Sequence, residues 1–235
     1  MALTHNQINR LWYTPTYDNF KKHGFVKDIF TSKDAEDFIR TGAYLIKEAE
    51  KRSNIIIPWD ERRRYEILAN PRLENAFVAL GAEYLLKGVF LIKGFAINEP
   101  KKLSVPIKHP IVLKGNKNKL LENEVHDLSY VVDHIAKIID FTDFDKSQKS
   151  DEAKAKNDLK GQRLKGITRM TIPFPTAKQI LIYLHFKRNY ALHRPFTIPE
   201  FRGITQHIFK LLDYIALKGT GRNIEVLAKL NDEEI

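Results

Sequence analysis

The stretch "PRLENAFVALGAEYLLKGVFLIKG", residues 71 to 94, constrains the fold more than any other part of the chain. Its apolar residues cover most of the circumference of a helix, and such a helix must be surrounded by other elements on nearly every side. Asn70 and Pro71 read as its cap and first residue, and Gly94 as the residue that ends it. A short helix in "PWDERRRYEILA" is expected just before it. An all-α bundle with this segment at its centre is the expected fold.

The remaining elements supply the wrapping. From Ser32, "SKDAEDFIRTGAYLIKEAEKR" has acids in its first turn, bases in its last, and an apolar stripe of Phe38, Ile39, Gly42, Leu45, Ile46 and Ala49. Gly42 either weakens this helix slightly or lets a neighbour approach closely. "VHDLSYVVDHIAKIIDF" resumes the helical period, with Asp127 as its expected cap. Thr176 and Gln179 form a capping box ahead of "AKQILIYLHFKRNYALH". Thr197 and Pro199 start the last long helix, which Gly219 is expected to close.

Between these helices, residues 97 to 124 hold prolines and many lysines and read as a connection with a short extended run at "PIVLKG". Residues 143–165 have almost no apolar content and read as a charged flexible insert, with an RNA-contacting basic segment as the alternative. The expected organisation is an N-terminal arm over 1–31, a helical domain of about five main helices over 32–219, and a C-terminal tail over 220–235.

Composition narrows the chemistry. The chain has no cysteine, which excludes disulfides, thiolate catalysis and cysteine-held metals. Its formal net charge of +10 favours a polyanionic partner, nucleic acid first. No unbroken apolar run reaches the roughly 20 residues of a bilayer span, and the N-terminus lacks the layout of a signal peptide, so a cytoplasmic protein without a membrane partner is expected. His126 and His134 lack the i, i+4 spacing of a helical zinc site, and "GTGRN" lacks the lysine of a phosphate-binding loop. No metal and no cofactor are expected.

The segment that departs from a simple core helix is "LHFKRNYALHRPF", residues 184 to 196. At roughly 100° per residue, with Arg188 at zero, His185 falls at about 60°, Asn189 at about 100° and His193 at about 140°. Ile180, Tyr183, Leu184, Tyr190 and Ala191 occupy the other side and are expected to pack inward; Lys187 and Arg194 fall outside the stripe. Two explanations fit this polar stripe. Arg188 can pair with a buried acid while His193 caps the helix end, or the stripe can be a site.

Arg188 and His193, with Asn189 directly after the arginine, resemble the R-x4-H motif of the HEPN superfamily. Glu83 and Lys87, one turn apart in the long apolar helix, and His126 with Leu128 at the start of the next, are similar to further features of such proteins. The resemblance covers residues 32 to 217. It implies a HEPN-like helical bundle and a metal-independent endoribonuclease of a microbial toxin or antiviral defence system. In that reading Arg188, Asn189 and His193 are catalytic, Glu83, Lys87 and His185 supporting, and RNA is the substrate.

Imidazole titrates near neutral pH and suits proton transfer, while the guanidinium fork matches phosphate oxygens. Glu83 then either holds Arg188 or pairs with Lys87 on its own helix. His185 is a packed core histidine or a second proton donor. The resemblance also implies a homodimer with its cleft between two copies of the 176 to 193 helix, and an antitoxin or other regulatory protein as a possible partner. Pro195 stands where one toxin subgroup carries a modifiable tyrosine, so regulation through that residue is not expected. The alternative is a non-catalytic HEPN-type module that binds RNA, a nucleotide or a protein.

Overall fold

A computed structural model of the chain describes residues 30–55, 57, 60–100, 109, 112–113, 121–125, 128–161, 174–193 and 202–229. Among these residues there are seven α-helices: α1 (Ala35–Ser53), α2 (Arg64–Ile92), α3 (Leu128–His134), α4 (Thr142–Gly161), α5 (Ala177–His193), α6 (Arg202–Thr220) and α7 (Ile224–Lys229). The protein is mostly helical, in line with the all-α expectation. The one addition is a small antiparallel ribbon of β1 (Asn98–Pro100) and β2 (Leu121–Val125). Strand β1 falls in the stretch read as a connection, and β2 runs from it into Val125, the first residue of the segment read as helical. Within that stretch Val112 makes an isolated antiparallel bridge to Phe95; apart from Val112 and Leu113, the run expected at 110–115 lies outside the described residues.

Helix α2 is the axis of the bundle. Residues Leu85, Leu86, Val89, Phe90 and Leu91 are fully buried on successive faces, against α1 along most of its length and against α3, α5 and α6 elsewhere. Its all-round apolarity is therefore matched by all-round contact. Residues 69–92 have the length and mean hydropathy, 1.4, that a membrane-crossing helix also has, although charged residues interrupt the apolar run. Within the bundle 61% of that window is buried.

The start of α2 differs from the expected two-helix layout. The helix runs unbroken through Asn70 and Pro71, preceded by a single 3-10 turn at Glu61–Arg63. Asn70 does not cap it. Its Nδ2 donates to the carbonyl of Arg52 at 3.2 Å, and Arg52 Nη1 donates back to its Oδ1 at 3.4 Å, so this side chain satisfies the end of α1 instead. At the other end Gly94 closes α2 as expected, at φ +80. The amides of Gly94 and Phe95 donate to the carbonyls of Leu91 and Phe90, a Schellman arrangement.

Helix α1 begins after a 3-10 turn at Ser32–Asp34, where Thr31 and Asp34 make a capping box. Its buried face, Ala35, Ile39, Gly42, Ala43, Ile46 and Ala49, is the expected stripe except that Ala35 and Ala43 are buried where Phe38 and Leu45 were expected, those two being half-buried. Close approach is the role Gly42 has here: a Cβ on it would stand 2.5 Å from the backbone nitrogen of Leu85.

Three further expectations are corrected. Residues 142 to 161 form helix α4 and not a flexible insert; residues 162 to 165 lie outside the described set. Lysine, alanine, glutamate and glutamine are good helix formers, and Phe144 and Asp151, two turns apart, dock the helix on α6. Phe144 stacks edge-on against Tyr214, and Asp151 pairs with Lys210. Helix α6 ends at Thr220 and is closed by Gly221, at φ +78, whereas Gly219 is packed inside it against Val89. Residues 224 to 229 are no tail: α7 buries Ile224 and Leu227 against the body and is pinned to α1 by Glu225 and Lys47, 2.8 Å apart. The expected caps at Asp127 and Thr197, Pro199, and the arm over 1–29, lie outside the described residues.

Candidate functional site

Helix α5 carries the motif, and its start is fixed twice. Gln179 donates its amide to Thr176 Oγ1 and its side chain accepts from the amide of Thr176, the capping box expected from sequence. The amide of Ala177 also donates to Asp145 Oδ1 of α4 at 2.8 Å. From this anchor the helix buries Ala177, Ile180, Leu181 and Leu184 against the bundle.

The inward face of α5 also holds a charged residue that the stripe left out. Lys187 is only 3% exposed, its Nζ 3.5 Å from Thr205 Oγ1 of α6 and 5.8 Å from the centre of the Tyr183 ring. Its position, three residues after Leu184 and seven after Ile180, was the signal that places it inward.

Arg188 faces α2. Its Nε lies 3.3 Å from Glu83 Oε2, while Glu83 Oε1 accepts from Lys87 Nζ at 2.5 Å. The side chains are 24%, 14% and 10% exposed for Arg188, Glu83 and Lys87. The two pairings weighed for Glu83 are therefore both made, one on each carboxylate oxygen. The contact to Arg188 is the looser one: Arg188 Nε and Glu83 Oε2 are shut off from water, yet no aligned hydrogen bond joins them. Among the described residues Arg188 has no other ion pair or hydrogen bond, so its terminal nitrogens are not engaged there.

Electrostatically the triad is two cations on one carboxylate. One positive charge is left over, on a side chain whose planar fork suits a phosphate. His185 is half-buried, its ring edge-on to Phe186 at 6.3 Å. The backbone of Asn189 and His193 is helical, but their side chains, like those of Tyr190 and Ala191, lie outside the described residues, as does His126.

The outward face of α5 is unexpectedly apolar. Ile182 and Phe186, one turn apart, are 44% and 52% exposed. A cleft of about 640 Å³ opens beside the first half of the helix, lined by Asp133, Asp140, Asp145, Lys178, Leu181 and Ile182 among others. Arg188 is not part of its wall. No group of three or more metal-ligating side chains occurs among the described residues.

Comparison with protein families, with curated proteins and with solved structures finds no match to this chain.

Proposed function

We propose that this protein is a HEPN-type, metal-independent endoribonuclease. The observation that carries the reading is the Arg188 fork, its Nε 3.3 Å from Glu83 and otherwise without a partner among the described residues, five positions before a histidine on the same helix.

RNA supplies its own nucleophile. His193 takes the proton of the ribose 2'-hydroxyl as that oxygen attacks the adjacent phosphorus. The bond from phosphorus to the 5'-oxygen breaks, and an imidazolium protonates the leaving oxygen. Arg188 stabilises the charge on the pentacoordinate phosphorane. Asn189 orients the imidazole or the phosphate. The products are a 2',3'-cyclic phosphate and a 5'-hydroxyl, and no metal is needed to balance the step.

One chain offers one motif histidine, and the reaction uses both an acid and a base. A homodimer that brings two α5 helices together supplies both. Exposed Ile182 and Phe186 on this helix give such a dimer an apolar contact. A microbial toxin or antiviral factor acting on RNA in the cytoplasm, held in check by an antitoxin or another regulatory protein, is the setting that fits this activity.

The mechanism is tested with an RNA carrying a single 2'-deoxyribose at the mapped cleavage site. That bond should survive while others are cut; cleavage at the deoxy position contradicts 2'-hydroxyl attack. If no RNA is cut but RNA still binds, the protein is a HEPN-type binding module that uses the same arginine.

A further inference from the structure

Lys87 is a charged residue on the core helix α2. It is largely buried, and its ammonium contacts the carboxylate of Glu83, the same group that holds Arg188. A carboxylate beside an arginine ordinarily closes on it in a two-point, fork-to-fork pair. Here it does not: Glu83 Oε2 approaches Arg188 Nε at 3.3 Å without an aligned hydrogen bond, while the other oxygen lies 2.5 Å from Lys87.

We propose that Lys87 is a positioning residue for Arg188. By holding Oε1 of Glu83 it keeps the carboxylate from closing on the guanidinium, so that the triad stays cationic and the terminal nitrogens of Arg188 remain available to a substrate phosphate. The inference rests on the reading of Arg188 as the phosphate-binding group, and it adds a charge count to that reading. The triad carries +1 in the parent, zero in Lys87→Met, +2 in Glu83→Gln, and +1 again in the double variant.

The test is binding of a single-stranded 2'-O-methyl RNA oligonucleotide, which lacks the attacking hydroxyl, to the full chain over a series of salt concentrations. Each phosphate contact changes the slope of log affinity against log salt by about 0.7 for a single strand. Lys87→Met is expected to bind about tenfold more weakly with a slope shallower by about 0.7. Lys87→Arg should match the parent, and adding Glu83→Gln to Lys87→Met should restore affinity. A merely structural role predicts the opposite for the double variant, because a second buried partner has been lost.

Should Lys87→Met not fold, Glu83→Gln alone decides: it must bind more tightly with a steeper slope, and an unchanged slope overturns the inference. Parent-like binding by Lys87→Met, with Arg188→Ala weakened, also overturns it while leaving the arginine's role intact. Parent-like binding by Arg188→Ala removes the phosphate-binding reading and the inference together.

Discussion

Gly42 of α1 lies against Gly81 and Leu85 of α2 so closely that a Cβ on Gly42 would stand 2.8 Å from the Gly81 carbonyl oxygen and 2.5 Å from the Leu85 nitrogen. These are backbone atoms of a core helix, so they cannot move aside as a flexible side chain could. The contact sets how deeply α2 seats on α1, and Glu83 lies between its two α2 partners. Gly42→Ala is expected to destabilise the fold by about 1 to 3 kcal/mol, despite alanine's better helix propensity. Thermal or urea unfolding checks this; an unchanged or raised midpoint would show that the two helices can separate at no cost.

Acid should loosen the docking of α7. Hydrogen bonds from Lys229 and then Lys47 hold the Glu225 carboxyl down at about 2, against an ordinary value of 4.5. A carboxyl depressed in the folded state contributes stability that is present above 4.5 and lost as pH falls towards about 2. Unfolding midpoints of the parent and Glu225→Gln should therefore converge over that interval and differ most near neutral pH. A gap that stays constant down to pH of about 2 contradicts the assignment.

Lys187 is buried for packing in this account and takes no part in the chemistry. Methionine preserves most of its length and volume but removes an ammonium that contacts Thr205 Oγ1 at 3.5 Å and the Tyr183 ring. Lys187→Met should thus lower stability by about 1 to 3 kcal/mol, with RNA cleavage by the folded variant unchanged. Loss of cleavage in a stable variant would move Lys187 into the site.

Phe186 is expected to stabilise the dimer. Phe186→Asp places a charge on the exposed face of α5 without entering the core, so the monomer should keep its helicity while sedimentation shows a lower mass. A parent that sediments as a monomer at every concentration would remove the composite cleft from the account.

How much of this was legible in the sequence follows from the kind of signal each residue gives. The burial of α2, the Thr176 capping box and the Gly94 stop depend on residues close in sequence, and periodicity or local chemistry reveals them; for Gly42 the sequence left two roles open, and its contact with Gly81 and Leu85, on another helix, decides between them. The continuity of α2 through Pro71 does not, because Asn70 is engaged by Arg52, 18 residues earlier. Helix α4 was overlooked because its stability comes from the propensity of charged residues and a few contacts to α6, which an apolar stripe does not report. At the site, the angular position of Arg188 was readable. That Glu83 would face both Arg188 and Lys87 was not, since helical spacing gives the second pairing and only tertiary packing gives the first.

Every other role assigned to the site depends on the proposal that Arg188 and His193 cleave RNA without a metal. The most direct measurement is cleavage of a mixed RNA substrate in excess EDTA by the parent, Arg188→Ala and His193→Ala. Cleavage by the parent alone, leaving 2',3'-cyclic phosphate ends, is the predicted result. Equal behaviour of all three proteins would contradict it, and the polar stripe of α5 would then be a structural feature of the bundle.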